Sequence, residues 1–412
     1  MGMVRLITLM ALLSFVPFLQ AAPLILNTDH FPPYQIRTSQ GLEGSSVLAL
    51  QCVFNALQQA YEIKVMPWER AIHEVEKNRA DGFFSATRMP RAEPYATLSA
   101  PLALEKWYWY SNTDPTSAHL GASGPRTGAI RGSNQLAWLL EQGIEVDQLV
   151  GTNEQLLKLL DRGRIDRFLA DRRTLRTELT KHSVNMRPRF EQFYKYATLG
   201  VYFSNSLLAR EPTLLEEFNR QVFYCLAETP ALDQSEQTRI LSLHEALFGQ
   251  WPGRPELLDA IRQQNRHHAQ LGIPEILALD QQWLTESSSA DRALSDGLLA
   301  RPASAWLRAQ QQASDGLITE IMLTDRLGLL VAASERTTDY WQGDENKFSE
   351  AFFAVDNAPY VGPVEFDQSS EAYQVHISIG IRDPKNNELI GTLITGLDIE
   401  RALLKTEHGG SL

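Results

Sequence analysis

Two successive runs of alternating strand-like and helix-like segments most constrain the fold of this 412-residue chain. The first run begins with the apolar residues 24–28, passes through a helical pattern over 45–60 and ends at a strand-like segment over 81–85. The second run begins at 127–134, where a strand-like segment passes through glycine into a helix start. Because strands that alternate with helices form parallel sheets, the two runs predict two α/β lobes with a cleft between them.

Composition limits the possible functions. Hydrophobic residues make up 43% of the chain and charged residues 21%, which is typical of a folded globular protein. The net charge of −12 argues against a nucleic-acid partner, because phosphate contacts require clustered Lys and Arg side chains. The length predicts two or three domains.

Residues 1–22 have the pattern of a cleavable secretory signal peptide. Arg5 supplies the positive charge, and Leu6 to Leu19 form an apolar stretch that is too short to span a bilayer. Small residues follow, so we expect cleavage after Ala21 or Ala22. The prediction is a periplasmic protein that does not itself span the membrane.

Cys52 and Cys225 are the two cysteines of the chain. In an exported protein an even pair is more often bridged than free, so we predict a disulfide between them. The alternative is a pair of buried free thiols.

Several short motifs, taken in their order and spacing, resemble the family 3 periplasmic solute-binding proteins, which are the polar amino-acid binders of ABC import systems. The motifs of lobe one and then of lobe two are Thr28–Tyr34, Gly41–Gly44, Asp81–Ser85 and Ser99–Leu102, followed by Gly128–Asn134 and Gly163–Asp171. The resemblance implies an α/β two-lobed domain of the periplasmic-binding-protein type II class over residues 23–235. Lobe one would comprise about 23–110 and 200–235, and lobe two about 111–199.

The resemblance also implies a site for a zwitterion, which needs a cation for its carboxylate and an acid for its ammonium group. Arg91 best matches the carboxylate-binding Arg, with Arg88 second, although one of them could simply pair with Glu93 at the surface. Asp171 matches the ammonium-binding acid, and the alternative is a solvated loop residue.

The turn Gly132, Ser133 and Asn134 matches the anion-binding helix start of the family. The alternative is an ordinary helix N-cap by Ser133 that needs no ligand. The remaining predicted ligand contacts are acidic, aromatic or hydroxyl side chains of lobe one, the aromatic ones being alternatively core residues: Asp29, Phe31, Tyr34, Trp68, Ser85 and Thr87. The run Trp107-Tyr108-Trp109-Tyr110 predicts a strand covered on both faces.

The pattern changes after a polar helical connector over 236–271. Residues 272–404 contain two helix-like segments and then four or five strands, and 405–412 form a tail. The run Tyr340-Trp341-Gln342-Gly343-Asp344-Glu345, the turn at 325–328 and the closing strand at 391–398 resemble the extracytoplasmic PAS-like sensor domains called PDC or Cache. The resemblance implies an α+β domain with an antiparallel sheet and helices on one side.

In such domains ligands lie between the sheet and the covering loops. The candidate contacts are therefore Tyr340, Trp341, Asp344 and Glu345, with Asp367 expected nearby. The alternative is that Trp341 fills the core while the acids cap turns. The carboxylate spacing fits no known metal loop, so we predict no metal ion, and the sequence indicates no cofactor.

These observations favour a periplasmic receptor without catalysis. It would capture a small polar, amino-acid-like solute and act with an ABC permease or a membrane signalling protein. One alternative is a dehydratase-like enzyme of the same fold, for which Asp29 and His30 are the nearest acid–base candidates. A second alternative is a regulatory module for a cell-wall enzyme.

Overall fold

The computed structural model describes residues 22–114, 124–181, 187–225, 232–367 and 372–408. The predicted signal peptide therefore lies outside the described residues, apart from its last position. Among the helices of the described ranges, none is both long enough and apolar enough to cross a bilayer.

The part of the chain up to residue 225 alternates strands and helices, as the sequence predicts. Its strands are β1 (Leu24–Thr28), β2 (Ile36–Thr38), β3 (Gly41–Glu43), β4 (Tyr61–Val65), β5 (Gly82–Ala86), β6 (Ala96–Leu98), β7 (Ala103–Ser111), β8 (Thr127–Ile130), β9 (Gln148–Val150), β10 (Arg167–Asp171) and β11 (Phe190–Ser204). Its helices are α1 (Ser45–Ala56), α2 (Trp68–Glu76), α3 (Asn134–Glu141), α4 (Asn153–Asp161), α5 (Arg172–Lys181), α6 (Asn205–Arg210) and α7 (Leu214–Cys225).

The remaining part begins with helices and ends in an antiparallel sheet. Its helices are α8 (Gln234–Phe248), α9 (Pro255–His267), α10 (Ile273–Glu286), α11 (Ala293–Leu299), α12 (Pro302–Ala313), α13 (Asn346–Phe352) and α14 (Ile399–His408), with short 3₁₀ turns at Trp251–Gly253 and Val355–Asn357. Its strands are β12 (Ile318–Asp325), β13 (Leu330–Ala333), β14 (Tyr360–Asp367), β15 (Ala372–Arg382) and β16 (Leu389–Asp398).

The chain divides into two compact units. The first unit comprises the described residues up to Leu102 and the segment Leu199–Cys225. The second unit comprises Ala103–Thr198 and the chain beyond Cys225. The segment expected to form lobe two therefore belongs to the same compact unit as the C-terminal sheet.

In the first unit, β1 lies between β4 and β5 and is parallel to both, as the alternating pattern predicts. The last residues of β11 run antiparallel to β5. The predicted disulfide is confirmed: Cys52 of α1 is bonded to Cys225 at the end of α7. Nearby, the rings of Phe54 and Phe218 pack with their centroids 5.5 Å apart, so the same two helices share a buried contact.

In the second unit, strands β7, β10, β8 and β9 lie side by side, with β11 on the other side of β7. Strand β10 is antiparallel to β7 and parallel to β8. Most residues of β7 are buried on both faces, which confirms the doubly covered strand predicted from the aromatic run 107–110.

The same unit contains a separate five-stranded antiparallel sheet in the order β13-β12-β16-β15-β14. A single hydrophobic core extends from β7, β10 and α4 through α8 and α9 to this sheet and α14; it includes Leu104, Phe168, Ile240, Leu393 and Leu403. Because the core is continuous, lobe-two segments and the C-terminal sheet are packed as one body.

Candidate functional site

Strand β7 carries two adjacent charged residues, Glu105 and Lys106, among aromatic and aliphatic neighbours. Glu105 is fully buried, and Lys106 is only 5% exposed. Successive side chains of a strand point to opposite faces, so these two charges occupy different environments. Since a buried charge is costly unless it is bonded, each must have polar partners inside the unit.

Glu105 is held by neutral donors from β7 and the start of α3. Its Oε2 accepts a hydrogen bond from Trp107 Nε1 at 3.0 Å, and its Oε1 accepts one from Gln135 Nε2 at 3.1 Å. The side chain of Asn134 also bonds to it. Burial, together with the negative charge of Asp171, raises the pKa of Glu105 to about 8.

Asp171 ends strand β10 directly opposite Trp107 of β7. Residues opposite each other in an antiparallel pair share a face, so Asp171 lies on the Glu105 side of the sheet. Its Oδ1 accepts the backbone N–H of Lys106 at 2.9 Å, and its Oδ2 accepts the N–H and hydroxyl of Thr174 at 2.9 and 2.8 Å. Burial raises the pKa of Asp171.

The bond from Thr174 identifies one role of Asp171, because a carboxylate that precedes a helix and accepts the N–H of its third residue is an N-cap. Asp171 is 3% exposed, so the alternative of a solvated loop acid is wrong. Two buried carboxyl groups, Asp171 and Glu105, thus lie on one face of the β7–β10 pair.

The opposite face of β7 is bonded to α8 through a buried ionic network. Glu236 accepts hydrogen bonds from Lys106 Nζ at 2.8 Å, Tyr108 Oη at 2.6 Å and Arg172 at 3.1 Å. Arg172 also pairs with Asp233 at 2.6 Å. Burial alone would raise the pKa of Glu236, but the Lys106 ammonium and the hydrogen bonds from Lys106, Tyr108 and the Asp233 backbone together hold that pKa below its ordinary value. The Lys106 charge is therefore directed away from the acid pair.

The predicted anion-binding turn begins at Gly132, whose φ of 74° favours glycine. Ser133 is the N-cap of α3: its Oγ accepts the N–H of Leu136 at 3.1 Å. Asn134 follows in the first turn and bonds to Glu105. Ser133 thus caps the helix, which was the alternative predicted for this turn. The side chain of Asn134 bonds to a carboxyl group of the protein itself.

The two candidate arginines of the first unit lie at its surface. Arg91 forms a two-bond ion pair with Glu69, at 2.9 and 3.0 Å. Arg88 pairs with Glu93 at 2.9 Å, which is the surface pair that the sequence left open for one arginine. Their side chains are 50% and 78% exposed. Their assignment to a ligand carboxylate stays a prediction.

Ser85 lies in a buried polar cluster of the first unit. Its hydroxyl donates to Ser46 Oγ at 3.0 Å and accepts a hydrogen bond from Gln35 Nε2. Gln35 is fully buried, and its Oε1 has no hydrogen-bond partner within the described residues. Tyr34, also fully buried, packs against Phe31 with ring centroids 5.1 Å apart.

The other predicted contacts of the first unit are held by local structure. Asp29 accepts the N–H of His30 at 2.6 Å and that of Trp68 at 3.2 Å, so it fixes the start of α2. The ring of Trp68 packs edge-on against Phe83. Thr87 is half-buried just after β5. The aromatic side chains of Tyr34 and Trp68 thus pack in or against the core, which was the alternative predicted for the aromatic residues.

Next to the C-terminal sheet, Trp341 is hydrogen-bonded to the turn between β12 and β13. Its indole N–H donates to the carbonyl of Leu327 at 2.9 Å, and its backbone forms a bridge with Leu329. Asp280 of α10 accepts the backbone N–H groups of Tyr340 and Trp341 at 2.8 and 3.0 Å. Tyr340 is buried against Trp283, and this burial raises its pKa to about 12.

The acids of the same motif have separate surroundings. Asp344 is exposed, whereas Glu345 is the N-cap residue just before α13, pairs with Lys347 at 3.0 Å and has a pKa raised by burial. Asp367 ends β14, at the opposite edge of the sheet from β13, and its side chain lies outside the described residues. The expectation that Asp367 lies near Trp341 is therefore wrong, because three strands separate the two edges. No group of three or more metal-ligating side chains suited to an ion occurs in the described ranges.

Glu105, a buried carboxyl group whose pKa is raised to about 8, and its amide partner Gln135 were not among the predicted site residues. A signal was available: the charged pair at 105–106 interrupts a strand whose other residues are apolar or aromatic. Buried charges in such a strand require partners and mark a site worth testing. Gln35 gave no comparable signal.

Neither a family model nor a curated protein matches the chain. Among solved structures, a histidine kinase sensor domain with similarity to periplasmic binding proteins is 16% identical, covering 56% of this chain and 96% of that one (TM-score 0.41). An ancestral arginine-binding protein bound to arginine is 16% identical over 49% and 92% (0.40). The arginine-, lysine-, histidine-binding protein from Geobacillus stearothermophilus is 16% identical over 55% and 96% (0.39). These neighbours are amino-acid-binding proteins and a sensor domain, and at these values they assign neither ligand nor role to this chain.

Proposed function

We propose that the protein is a periplasmic receptor that reversibly binds a small, polar, amino-acid-like solute through that solute's ammonium group. The observation that carries the proposal is the buried position of Asp171, held by Lys106 and Thr174 next to a second buried carboxyl, Glu105. A carboxylate in such surroundings binds a cation far more strongly than an exposed one, because water does not screen the attraction. Asp171 is also the residue that the sequence resemblance assigns to the ammonium group.

The C-terminal half of the second unit would act as a PDC- or Cache-like reporter of binding. Support comes from its antiparallel sheet and from the single core that joins it to the β7–β10 pair. Lys106 and Tyr108 of β7 bind Glu236 of α8, while Glu105 of β7 lies beside Asp171. Strand β7 therefore connects the acid pair to α8. A membrane partner, either an ABC permease or a signalling protein, would recognise the solute-bound state.

An enzymatic role has one observation in its favour. A carboxyl group with a pKa near 8, such as Glu105, could donate a proton at neutral pH. However, Glu105 is fully buried and engaged by three neutral donors, which suits a fixed group better than one that reaches a substrate. The proposal is therefore binding without turnover.

A thermal-shift panel of amino acids and related acids and amines, each followed by mass spectrometry of the compound, tests the proposal. A solute present at about one hundred times its dissociation constant should raise the unfolding free energy by about 2.7 kcal/mol, and the compound should be recovered unchanged. Conversion of a stabilising compound would support the enzyme instead. A panel in which no cationic or zwitterionic compound stabilises the protein would contradict the proposal.

A further inference from the structure

We propose that the outer face of α10 is the surface on which a second copy of this protein binds, so that two copies form a reversible dimer. The inference does not depend on the ligand proposed above. Helix α10 (Ile273–Glu286) lies entirely within the second unit, between the connector and the C-terminal sheet.

The outer face of α10 carries three large apolar side chains that are open to solvent. Ile273, Leu277 and Leu284 are 57%, 50% and 43% exposed. Because separations of four and eleven residues are close to whole helical turns, these side chains lie within about 40° of one another around the helix axis. The inner face is apolar as well, since Ile276 and Trp283 are buried in one cluster with residues of the sheet. A helix that is apolar on both faces is normally covered on both.

The outer face is also free of charge. Helix α10 contains no Lys, Arg or His. Its three acids, Glu275, Asp280 and Glu286, accept backbone N–H groups at the helix start, in the 340–341 segment and at the start of α11. The exposed side chains of the outer face are therefore all neutral: Ile273, Pro274, Leu277, Ala278, Gln281, Leu284 and Thr285.

This neutrality favours a second copy over a partner of opposite charge. The chain has a net charge of −12, so two copies repel each other wherever their charged surfaces meet. A face without charge lets two copies approach without that repulsion. The same face offers nothing to attract or orient a strongly basic or acidic protein.

The spacing of the apolar side chains fits a two-fold pair. In such a pair one patch faces itself, so each contact occurs twice. Antiparallel pairing of two α10 helices about a point between residues 278 and 279 places Ile273 of each copy against Leu284 of the other. Leu277 then lies close to the axis, and the small side chain of Ala278 allows the helices to approach closely.

The size of the face predicts a dimer that dissociates readily. The helix has 14 residues. A face of this length is about 21 Å long and about 10 Å wide, so a pair of such helices buries on the order of 1,000 Å² in total. Specific interfaces of that size are at the weak, transient end of the range. We therefore expect a dissociation constant in the micromolar range.

Sedimentation equilibrium of the purified protein from about 1 to about 500 µM tests the proposal, because this range brackets the expected dissociation constant. The wild type should change from a monomer to a dimer as its concentration rises. Leu277→Glu should weaken the association about tenfold or more, because the two-fold pair brings two like charges together near its axis. Leu140→Glu, at a residue of α3 that is 61% exposed, is the matched control and should leave the association unchanged. A wild type that stays monomeric throughout, or equal effects of the two substitutions, would overturn the proposal.

Charge rescue distinguishes a direct contact from a general loss of structure. Leu277→Glu and Leu277→Lys proteins should each associate poorly alone, and an equimolar mixture should form a dimer that contains one copy of each. A mixture that stays monomeric would contradict pairing through this face.

Hydrogen exchange identifies the occupant of the face. Exchange of the α10 amides should slow as the wild type dimerises, and it should not depend on concentration in Leu277→Glu. Strong protection of the outer face already in the monomer would assign it to another segment of the same chain. Sedimentation of the monomer with phosphatidylcholine vesicles would assign it to a lipid surface. Either result would overturn the proposal.

Discussion

Glu105 lies in a strand whose other buried side chains, apart from Lys106, are aromatic or aliphatic. At the scale of single residues, its three neutral donors are too few to offset burial and the nearby Asp171 charge. Glu105 therefore holds its proton in the folded state at pH values where an unfolded chain has released it. The consequence is a distinctive pH dependence of stability.

We predict that the wild-type protein loses stability as the pH rises above 5, and that Glu105→Gln removes the part of this loss that is due to Glu105. The unfolded glutamate releases its proton near pH 4.5, but the folded one only near 8. Between these values the folded state binds more protons, so the unfolding free energy falls as pH rises, by up to about 1.4 kcal/mol per pH unit. Urea unfolding at pH 5, 6, 7 and 8 should show a shallower decline in the variant than in the wild type. Glu216→Gln, at an exposed position, is the control, and equal slopes in all three proteins would refute the prediction.

Asp171 and Glu105 also show what a sequence can predict of a site. Asp171 is the last residue of a strand and precedes a helix, so its position could be predicted from local order. The position of Glu105 beside Asp171 depends on the pairing of β7 with β10. That pairing connects segments more than sixty residues apart in the chain. The surface pairing of Arg91 with Glu69 also depends on the long-range approach of α2, which no local pattern encodes.

At the scale of elements, the Trp341–Gly343 segment shows how tight a turn contact can be. Gly328 has a φ of 82°, and a Cβ there would lie 2.4 Å from the Cα of Gly343. A Cβ on Gly343 would lie 2.7 Å from the carbonyl oxygen of Leu327, which accepts the Trp341 indole N–H. The motif that resembles a sensor-domain signature thus has a packing role, which was the alternative predicted for Trp341.

We expect Gly343→Ala to destabilise the protein by about 2–4 kcal/mol, because overpacking against backbone cannot be relieved by side-chain rotation. Thermal unfolding monitored by tryptophan fluorescence would measure the change. The control is Gly297→Ala in α11, where a Cβ meets open space and helix propensity should stabilise by up to about 1 kcal/mol. If Gly343→Ala unfolds at the same midpoint temperature as the wild type, the prediction of a close backbone contact at this turn is contradicted.

The helices and strands were mostly predictable because their signals are local. The alternating aromatics of β7 predicted a doubly covered strand, and the βα order predicted the parallel pairing of β1, β4 and β5. The proximity of Asp367 to Trp341 was predicted wrongly because sequence order does not specify which strands form the edges of a sheet.

At the scale of the whole molecule, the second unit joins lobe-two segments to the C-terminal sheet through α8 and α9. The sequence predicts a connector over 236–271, but many of its apolar residues, such as Ile240, Leu257 and Ile261, are buried in the common core. A mostly polar helix with one apolar face has the composition expected of an exposed connector. The structure shows that the apolar face is covered by the common core.

We predict that Glu236→Ala weakens both parts of the second unit together. Removal of its carboxylate breaks the buried ion pair with Lys106, at a cost of about 3–5 kcal/mol. Hydrogen exchange should accelerate both in β7 and in the C-terminal strands β12 and β16. Glu256→Ala, in an exposed pair with Arg254, should change stability by less than about 1 kcal/mol. Faster exchange confined to β7 would mean that the two parts open independently.

The most direct test of a cation-binding receptor is calorimetric titration of wild type, Asp171→Asn and Asp166→Asn with the tightest compound of the panel. Asparagine is a good N-cap, so Asp171→Asn keeps the acceptor for Thr174 at the start of α5, while it removes the charge and the acceptor for the Lys106 N–H. Asp166→Asn makes the same change at a partly exposed acid that pairs with Arg126. The account predicts a loss of affinity of about 30-fold or more for Asp171→Asn and less than about threefold for Asp166→Asn. Wild-type affinity in the Asp171→Asn protein would contradict it.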